Sequence, residues 1–292
     1  PYRTPAIHAR ARAVHTNGPV SGAFRGFGVP QAALWQEVLY DRLAGKAGID
    51  RLEFRILNAL RDGDTSPTGN TLQAVGIGPC LEALSPAWRR ATAWTRGGKG
   101  RGIGVASCWY GCGNTSLPNP STIKAGIRAD GTITLHQGAM DIGQGANTVI
   151  TQLFATALGV PVATVALIGP DTDVTPDAGK TSASRQTFVS GNAARLCGEA
   201  LRAEVLRVVN ASASAVLSVT PGTITVDDGT SRHRIALDQL AADADGYVLA
   251  ASGHYDPPTK PLDANGQGEP YAQFGYAAQL VVAEVDTALG TI

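Results

Sequence analysis

The stretch "GAMDIGQGANTVITQLFATALG", Gly138–Gly159, decides how this chain is read. Its opening eight residues hold three glycines and suit no regular element, while the remainder reads as a helix that stops at Gly159. Just upstream, "GTITLHQG" alternates like a strand. A strand leading through a glycine-rich loop into a helix is an arrangement in which the loop is free to carry chemistry.

Two other stretches share that form. "SGAFRGFGVPQ" (21–31) runs into the helix "PQAALWQEVLYDRLAG", with Pro30 near its first turn. "GKTSASRQTFVSGNA" (179–193) runs into "VSGNAARLCGEALRAEVLRVV", the longest expected helix. Backbone N–H groups and the positive end of the helix dipole favour anions at such N-termini. Ser182, Ser184 and Thr187 add hydroxyl donors, and Gln144 and Gln186 carry amides able to read a polar ring edge. Each loop taken singly also fits an ordinary capped helix.

The rest of the chain predicts an α+β layout. "DRLEFRILNALRDGD" is expected as a helix, with Asp50 and Glu53 as a capping box. Residues 62–100 read as loop-rich. From Arg101 a new unit is expected, with strands "GIGVASC", "TIKAGIRA" and "GTITLHQG" and a hairpin turn at 129–131. "VATVALIG" reads as a buried strand, "GTITVDDGTSRHRIAL" as a second hairpin, and "FGYAAQLVVAEVDTALGTI" as a strand running off the end. The expected division is 1–75, a linker at 76–100, and 101–292.

Composition removes whole classes of function. The 292 residues are formally neutral and 43% hydrophobic, which argues against nucleic acid or an anionic membrane as partner and against disorder. No apolar run reaches the roughly 18 to 20 residues that span a bilayer. The N-terminus has no apolar signal region and reads as the interior of a longer chain. Four scattered cysteines give no disulfide framework, so a reducing, cytoplasmic compartment is expected. The five histidines do not cluster and no metal-ligand spacing occurs. "AGKTS" fails as a phosphate loop because Val174 stands where glycine is required, and "GIGVAS", "GCGNTS" and "GFGVPQ" lack the third glycine of a dinucleotide fingerprint.

Together, "GAFRGFGVPQ", "DIGQGANTVITQLFATALGVP" and "TSASRQTFVSGNA" resemble the molybdenum-binding subunit of the xanthine dehydrogenase/aldehyde oxidoreductase family, in order and approximate spacing over nearly the whole chain. The resemblance implies mixed sheets with flanking helices and a bacterial molybdopterin cofactor, often as its cytosine dinucleotide. Molybdenum would be held by the dithiolene and by no protein side chain. Gly26, Gly143, Gln144 and Gly145, with Ala183, Ser184, Arg185, Gln186 and Thr187, match segments that cradle the cofactor. Arg25 matches the substrate-pocket cation and Phe27 the aromatic that packs on a ring, while Phe24 is expected in the core.

The implied reaction is hydroxylation with oxygen from water, electrons leaving through 2Fe-2S clusters to FAD on partner domains or subunits. The family's general-base glutamate would lie beyond Ile292, so the chain alone should not turn over. Asn114 stands where xanthine oxidoreductases carry the second phenylalanine of the ring sandwich, which turns the expectation from purines toward nicotinate-like N-heterocycles. Aldehyde oxidation is the alternative within the family, and a non-catalytic cofactor carrier or assembly module the alternative outside it.

Overall fold

A computed structural model describes residues 1–114 and 118–292. The chain divides into two compact units, one of residues 1–112 and 259–292, the other of residues 113–258.

In the first unit a buried Pro1–Tyr2 start and an exposed stretch from Arg3 lead into α1 (Val29–Ala47), α2 (Arg51–Asn58), α3 (Ile77–Ala83) and α4 (Ser85–Thr95). Asp50 caps α2 as its position predicts, its Oδ1 accepting from the N–H groups of Leu52 and Glu53. The stretch read as a linker is not one. α3 and α4 supply Ile77, Leu81 and Trp88 to the same apolar cluster as Leu52, Leu72 and Val105. Their short lengths and a glycine and two prolines, Gly78, Pro79 and Pro86, hide their period in the sequence. β1 (Arg101–Gly111) pairs antiparallel with the C-terminal strand β9 (Phe274–Glu284) along all eleven residues. Hence the segment from Arg101 folds with the first unit, where the sequence suggested a new one.

Beneath this cluster lies a buried polar knot. Arg55 and Glu37 are 0% and 6% exposed. The Arg55 Nε donates to Glu37 Oε2 at 2.7 Å, and its Nη1 sits 2.8 Å from Asp41. Tyr2 Oη donates to Glu37 and shares a hydrogen bond with Ser107. A charge this deep is tolerated because each partner satisfies another.

The second unit is built on a four-stranded sheet. β2 (Ser121–Ile127) and β3 (Ile133–Gln137) form the expected hairpin, with Gly131 at φ 91° in its turn. After β3 come α5 (Ala146–Leu158) and β4 (Val165–Ile168), which pairs parallel to β3 at the sheet's edge and is half-buried rather than buried. A π-helical turn at Gln186–Ser190 leads directly into α6 (Gly191–Val209). β5 (Val216–Thr220), β6 (Thr223–Asp227) and β7 (Arg232–Ala236) make a separate antiparallel sheet, and β8 (Leu249–Tyr255) returns beside β2.

One face of the four-stranded sheet carries Ile123, Ala125, Ile133 and Leu135 against Ile150, Phe154, Ala194 and Leu201 of the two helices. The fit is close. A Cβ on Gly253 would lie 2.1 Å from the Ala193 carbonyl, and one on Gly198 2.6 Å from the Phe154 carbonyl. α6 is therefore pressed onto both β8 and α5, which fixes the N-termini of both helices.

Candidate functional site

The loop before α5 is organised by a residue that the motif reading passed over. Asp141 accepts from the N–H groups of Gly143 at 2.9 Å, Gly145 at 3.2 Å and Asn147 at 3.0 Å. These bonds, Asn147 first, hold its carboxyl below the usual carboxylate range. Gly143 and Gly145 both have positive φ, at 103° and 83°, and a Cβ on either would meet nothing within 4 Å. Their outer faces are open to a ligand. Of the amides at the start of α5, that of Asn147 is, however, already taken by Asp141, as are those of Gly143 and Gly145 before it. Gln144 is exposed, and its amide folds back to accept from Ile142 N–H and donate to the Met140 carbonyl.

The second loop shows backbone strain at adjacent positions. Ala183 and Ser184 adopt φ 52° and 53°, the left-handed region, followed by right-handed Arg185. A non-glycine residue there costs roughly 1–3 kcal/mol and persists only when its surroundings impose it. The left-handed Ser184 followed by right-handed Arg185 is a pair of the kind that turns N–H groups toward an anion, although the Arg185 N–H already donates to the Ser182 carbonyl at 3.2 Å. The π-helical turn follows at once, and single π turns cluster at functional sites. Ser184 and Thr187 are exposed there.

Arg185 and Gln186 occupy different places from those the motif suggested. Arg185 is 1% exposed, and all five guanidinium hydrogens are used. It donates to Asn119 Oδ1 at 2.6 Å and to the carbonyls of Asn119, Pro120, Ala178 and Lys180. Burial pulls its pKa down, opposed by Asp177 and Asp256. It staples the loop from inside and has no donor left for a phosphate. Gln186 is buried as well, donating to Thr181 Oγ1 and accepting from the Ser190 hydroxyl.

Thr181 joins the two loops. Its hydroxyl donates to the Met140 carbonyl at 2.9 Å, accepts from Met140 N–H at 3.1 Å, and receives the Gln186 amide. Asn114 belongs to the same cluster, donating at 3.1 Å to the Asn119 oxygen that Arg185 also uses, while Gly113 N–H reaches the Ala183 carbonyl. Thr115, Ser116 and Leu117 of that stretch lie outside the described residues. The second unit thus brings together Asn114, Gly143, Gln144, Gly145 and 183–187.

Arg25, Gly26 and Phe27 belong to the first unit. Gly26, Phe27 and Gly28 all have positive φ, at 93°, 45° and 88°, in two overlapping turns that start α1. A Cβ on Gly26 would lie 2.7 Å from the Pro30 ring. Phe27 is 73% exposed and Arg25 is exposed too. Phe24, expected in the core, is 86% exposed, so the lone-aromatic rule fails here. No helix among the described residues is long and apolar enough to cross a membrane.

The fold is α+β, with two loop-to-helix junctions joined through Thr181. Comparison with known proteins makes this specific. Residues 80–292 match the model of a molybdopterin cofactor-binding domain, and residues 1–59 match a second model of the same description. The chain belongs to this molybdopterin cofactor-binding family, and proteins named xanthine dehydrogenase molybdenum-binding subunit and aldehyde oxidoreductase are among its relatives. It is 36% identical to the xanthine dehydrogenase molybdenum-binding subunit of Escherichia coli, over 80% of this chain and 33% of that protein. It is 32% identical to the aldehyde oxidoreductase of Megalodesulfovibrio gigas, over 99% of this chain and 30% of that protein. The crystal structure of the aldehyde oxidoreductase from Desulfovibrio desulfuricans superposes with a TM-score of 0.74 at 29% identity, covering 92% of this chain and 28% of that one. The chain spans about a third of the length of these relatives.

Proposed function

We propose that this chain is the molybdopterin-holding portion of a molybdenum hydroxylase that inserts water-derived oxygen into an N-heteroaromatic substrate. The observation that carries the reading is the junction of two cofactor-type loops through Thr181, in a chain of this family.

The residues present fit the cofactor. The strained turn at Ala183–Ser184, with the hydroxyls of Ser184 and Thr187 and the N–H groups that open the following helix, is suited to phosphate. The exposed backbone of Gly143 and Gln144, held in shape by Asp141, is suited to the hydrogen-bonding edge of the pterin. Arg185 and Gln186 act one step removed, holding that surface in shape. When bound, the cofactor supplies two-electron redox chemistry and the transfer of oxygen from water. The cytosine dinucleotide form fits the family, as do 2Fe-2S and FAD on partner subunits as electron acceptors. The cytoplasm is the proposed compartment.

Arg25 is assigned to stabilise negative charge that develops on the substrate, and Phe27 to offer a flat apolar face for its ring. Asn114 is assigned to the substrate side, where a polar residue favours a ring bearing a carbonyl or carboxylate over a bare purine. In the assembled enzyme, Arg25→Ala should lower kcat about 100- to 1,000-fold, the loss typical of one charge-stabilising donor. An unchanged rate would refute the assignment. Aldehyde oxidation is the second reading, favoured by the likeness to aldehyde oxidoreductases. A panel of N-heterocycles and aldehydes separates the two. An assembly module without catalysis would turn over neither while retaining the cofactor.

A further inference from the structure

Two hydroxyls sit where the core asks for none. Ser121, the first residue of β2, and Ser190, the last of the π-helical turn, are both 0% exposed. Other buried residues of β2 and α6, such as Ile123, Ala125, Ala193 and Ala194, are apolar. Alanine would fit either place with no polar group to satisfy, and a buried hydroxyl is tolerated only when it is hydrogen-bonded. The two serines meet each other at 2.9 Å.

The protons give this pair a direction. The Gln186 amide nitrogen donates to the Lys180 carbonyl at 3.3 Å and to Thr181 Oγ1 at 3.0 Å. A carbonyl only accepts, so the amide oxygen is the end that meets Ser190. The Ser190 hydroxyl therefore donates to that oxygen, which leaves its own oxygen to accept from Ser121. At the far end Thr181 gives its one hydroxyl proton to the Met140 carbonyl at 2.9 Å. Its oxygen receives the Gln186 amide and the Met140 N–H. Every hydroxyl proton is thus assigned, from Ser121 through Ser190, Gln186 and Thr181 to Met140. The chain of bonds starts on β2, which β3 and β8 hold on both sides, and ends on the loop before α5.

We infer that Ser190, anchored by Ser121, is a positioning residue for the cofactor loops. It fixes the Gln186 amide so that Thr181 holds the Met140 end of the first loop. That role rests on the reading of the two loops as the cofactor's seat. Neither serine is exposed to a ligand, and both act through Gln186 and Thr181. Hydrogen bonds aligned in one direction polarise and strengthen one another, so the loss of one hydroxyl is felt at the far end.

Hydrogen exchange of the Met140 amide, read beside those of Leu201 and Val205 in α6, tests this on the chain, and molybdenum content tests it in the assembled subunit. Ser190→Ala should speed Met140 exchange roughly two- to tenfold, the loss of one net hydrogen bond, and lower the molybdenum retained. Gln186→Met cuts the same path one step further on and should speed Met140 as much. Ser121→Ala, the milder cut, should move it in the same sense. Thr181 can still receive the Met140 N–H in all three, so exchange is not saturated. The Ser190→Ala and Gln186→Met double variant should then be no faster than the faster single one. Faster exchange at Leu201 and Val205 with Met140 unmoved would leave the serines a packing role only and overturn the inference. Single effects that multiply in the double variant would overturn it too, since Ser190 would then act by another route. So would a freed Met140 in a subunit that keeps its full molybdenum. If Met140 responds as expected but the unaltered subunit carries no pterin, the cofactor reading fails and the positioning of the loops stands.

Discussion

Replacing Arg185 by methionine asks whether this residue is an internal staple or a phosphate ligand. The side chain is 1% exposed and satisfies four carbonyls and the Asn119 amide oxygen. Methionine fills much of the volume but supplies no donor. Each buried acceptor left unpaired costs about 1–3 kcal/mol. Relaxation and water entry return part of that sum, so the net loss should resemble removal of one member of a buried charged network, about 3–5 kcal/mol. Lysine, with one compact ammonium in place of a planar fork, cannot reach 119–120 and 178–180 together and should lose an intermediate part of that stability. Fluorescence would report on the wrong place, because all four tryptophans (Trp35, Trp88, Trp94 and Trp109) lie in the first unit. Hydrogen exchange of the Leu201 and Val205 amides in α6 reads the second unit directly. A loss below about 1 kcal/mol for Arg185→Met would refute the staple and return the guanidinium to the phosphate.

Other expectations follow from the same geometry. Asp141→Ala should release the Gly143, Gly145 and Asn147 amides, seen as faster exchange, and weaken cofactor retention. Since the folded Asp141 pKa is depressed, its contribution is present above the ordinary carboxylate pKa near 4 and fades as pH falls through the depressed value, which NMR titration of its carboxyl would show. His136 is buried between the Val174 carbonyl and the Tyr247 hydroxyl, and burial first, then Lys124 and Arg128, lowers its pKa. Its contribution is complete above about pH 6.5 and is lost as pH falls toward the folded value, so urea midpoints should drop on acidification and His136→Gln should flatten that part of the profile. Arg55→Met should destabilise the first unit by about 3–5 kcal/mol in tryptophan-monitored urea unfolding, leaving Glu37 buried without its partner.

Much of this architecture was legible in the residues, and the exceptions have physical causes. The loop-to-helix junctions at Gly138–Gly159 and 179–193 announce themselves because glycine, hydroxyl residues and a helical period sit side by side. The hairpin at 129–131 declared its turn through Asp130 and Gly131 in the same way. α3 and α4 went unseen because their burial depends on contacts distant in sequence. The same is true of β1, which alternates as a strand should but finds its partner 163 residues later, as the Gly111–Phe274 pair shows. At the site, motif order located the loops and not the division of labour inside them. Whether a polar side chain faces a ligand or its own backbone depends on packing, so Arg185 and Gln186 turned inward without warning. Asp141 was the readable omission, since aspartate two residues before glycine is a common way to fasten a turn. Thr181, the bridge between loops, carries no such signal.

The measurement closest to the central claim is molybdenum and released pterin nucleotide per chain, on protein purified from its native host. The account predicts near-stoichiometric molybdenum with pterin in the assembled subunit, and loss of most of it when Asp141→Ala and Ser184→Pro together remove the carboxylate that orders the first loop and the left-handed turn of the second. An assembled subunit without pterin, or one that keeps its full complement in that double variant, would contradict the claim that these joined loops hold the cofactor.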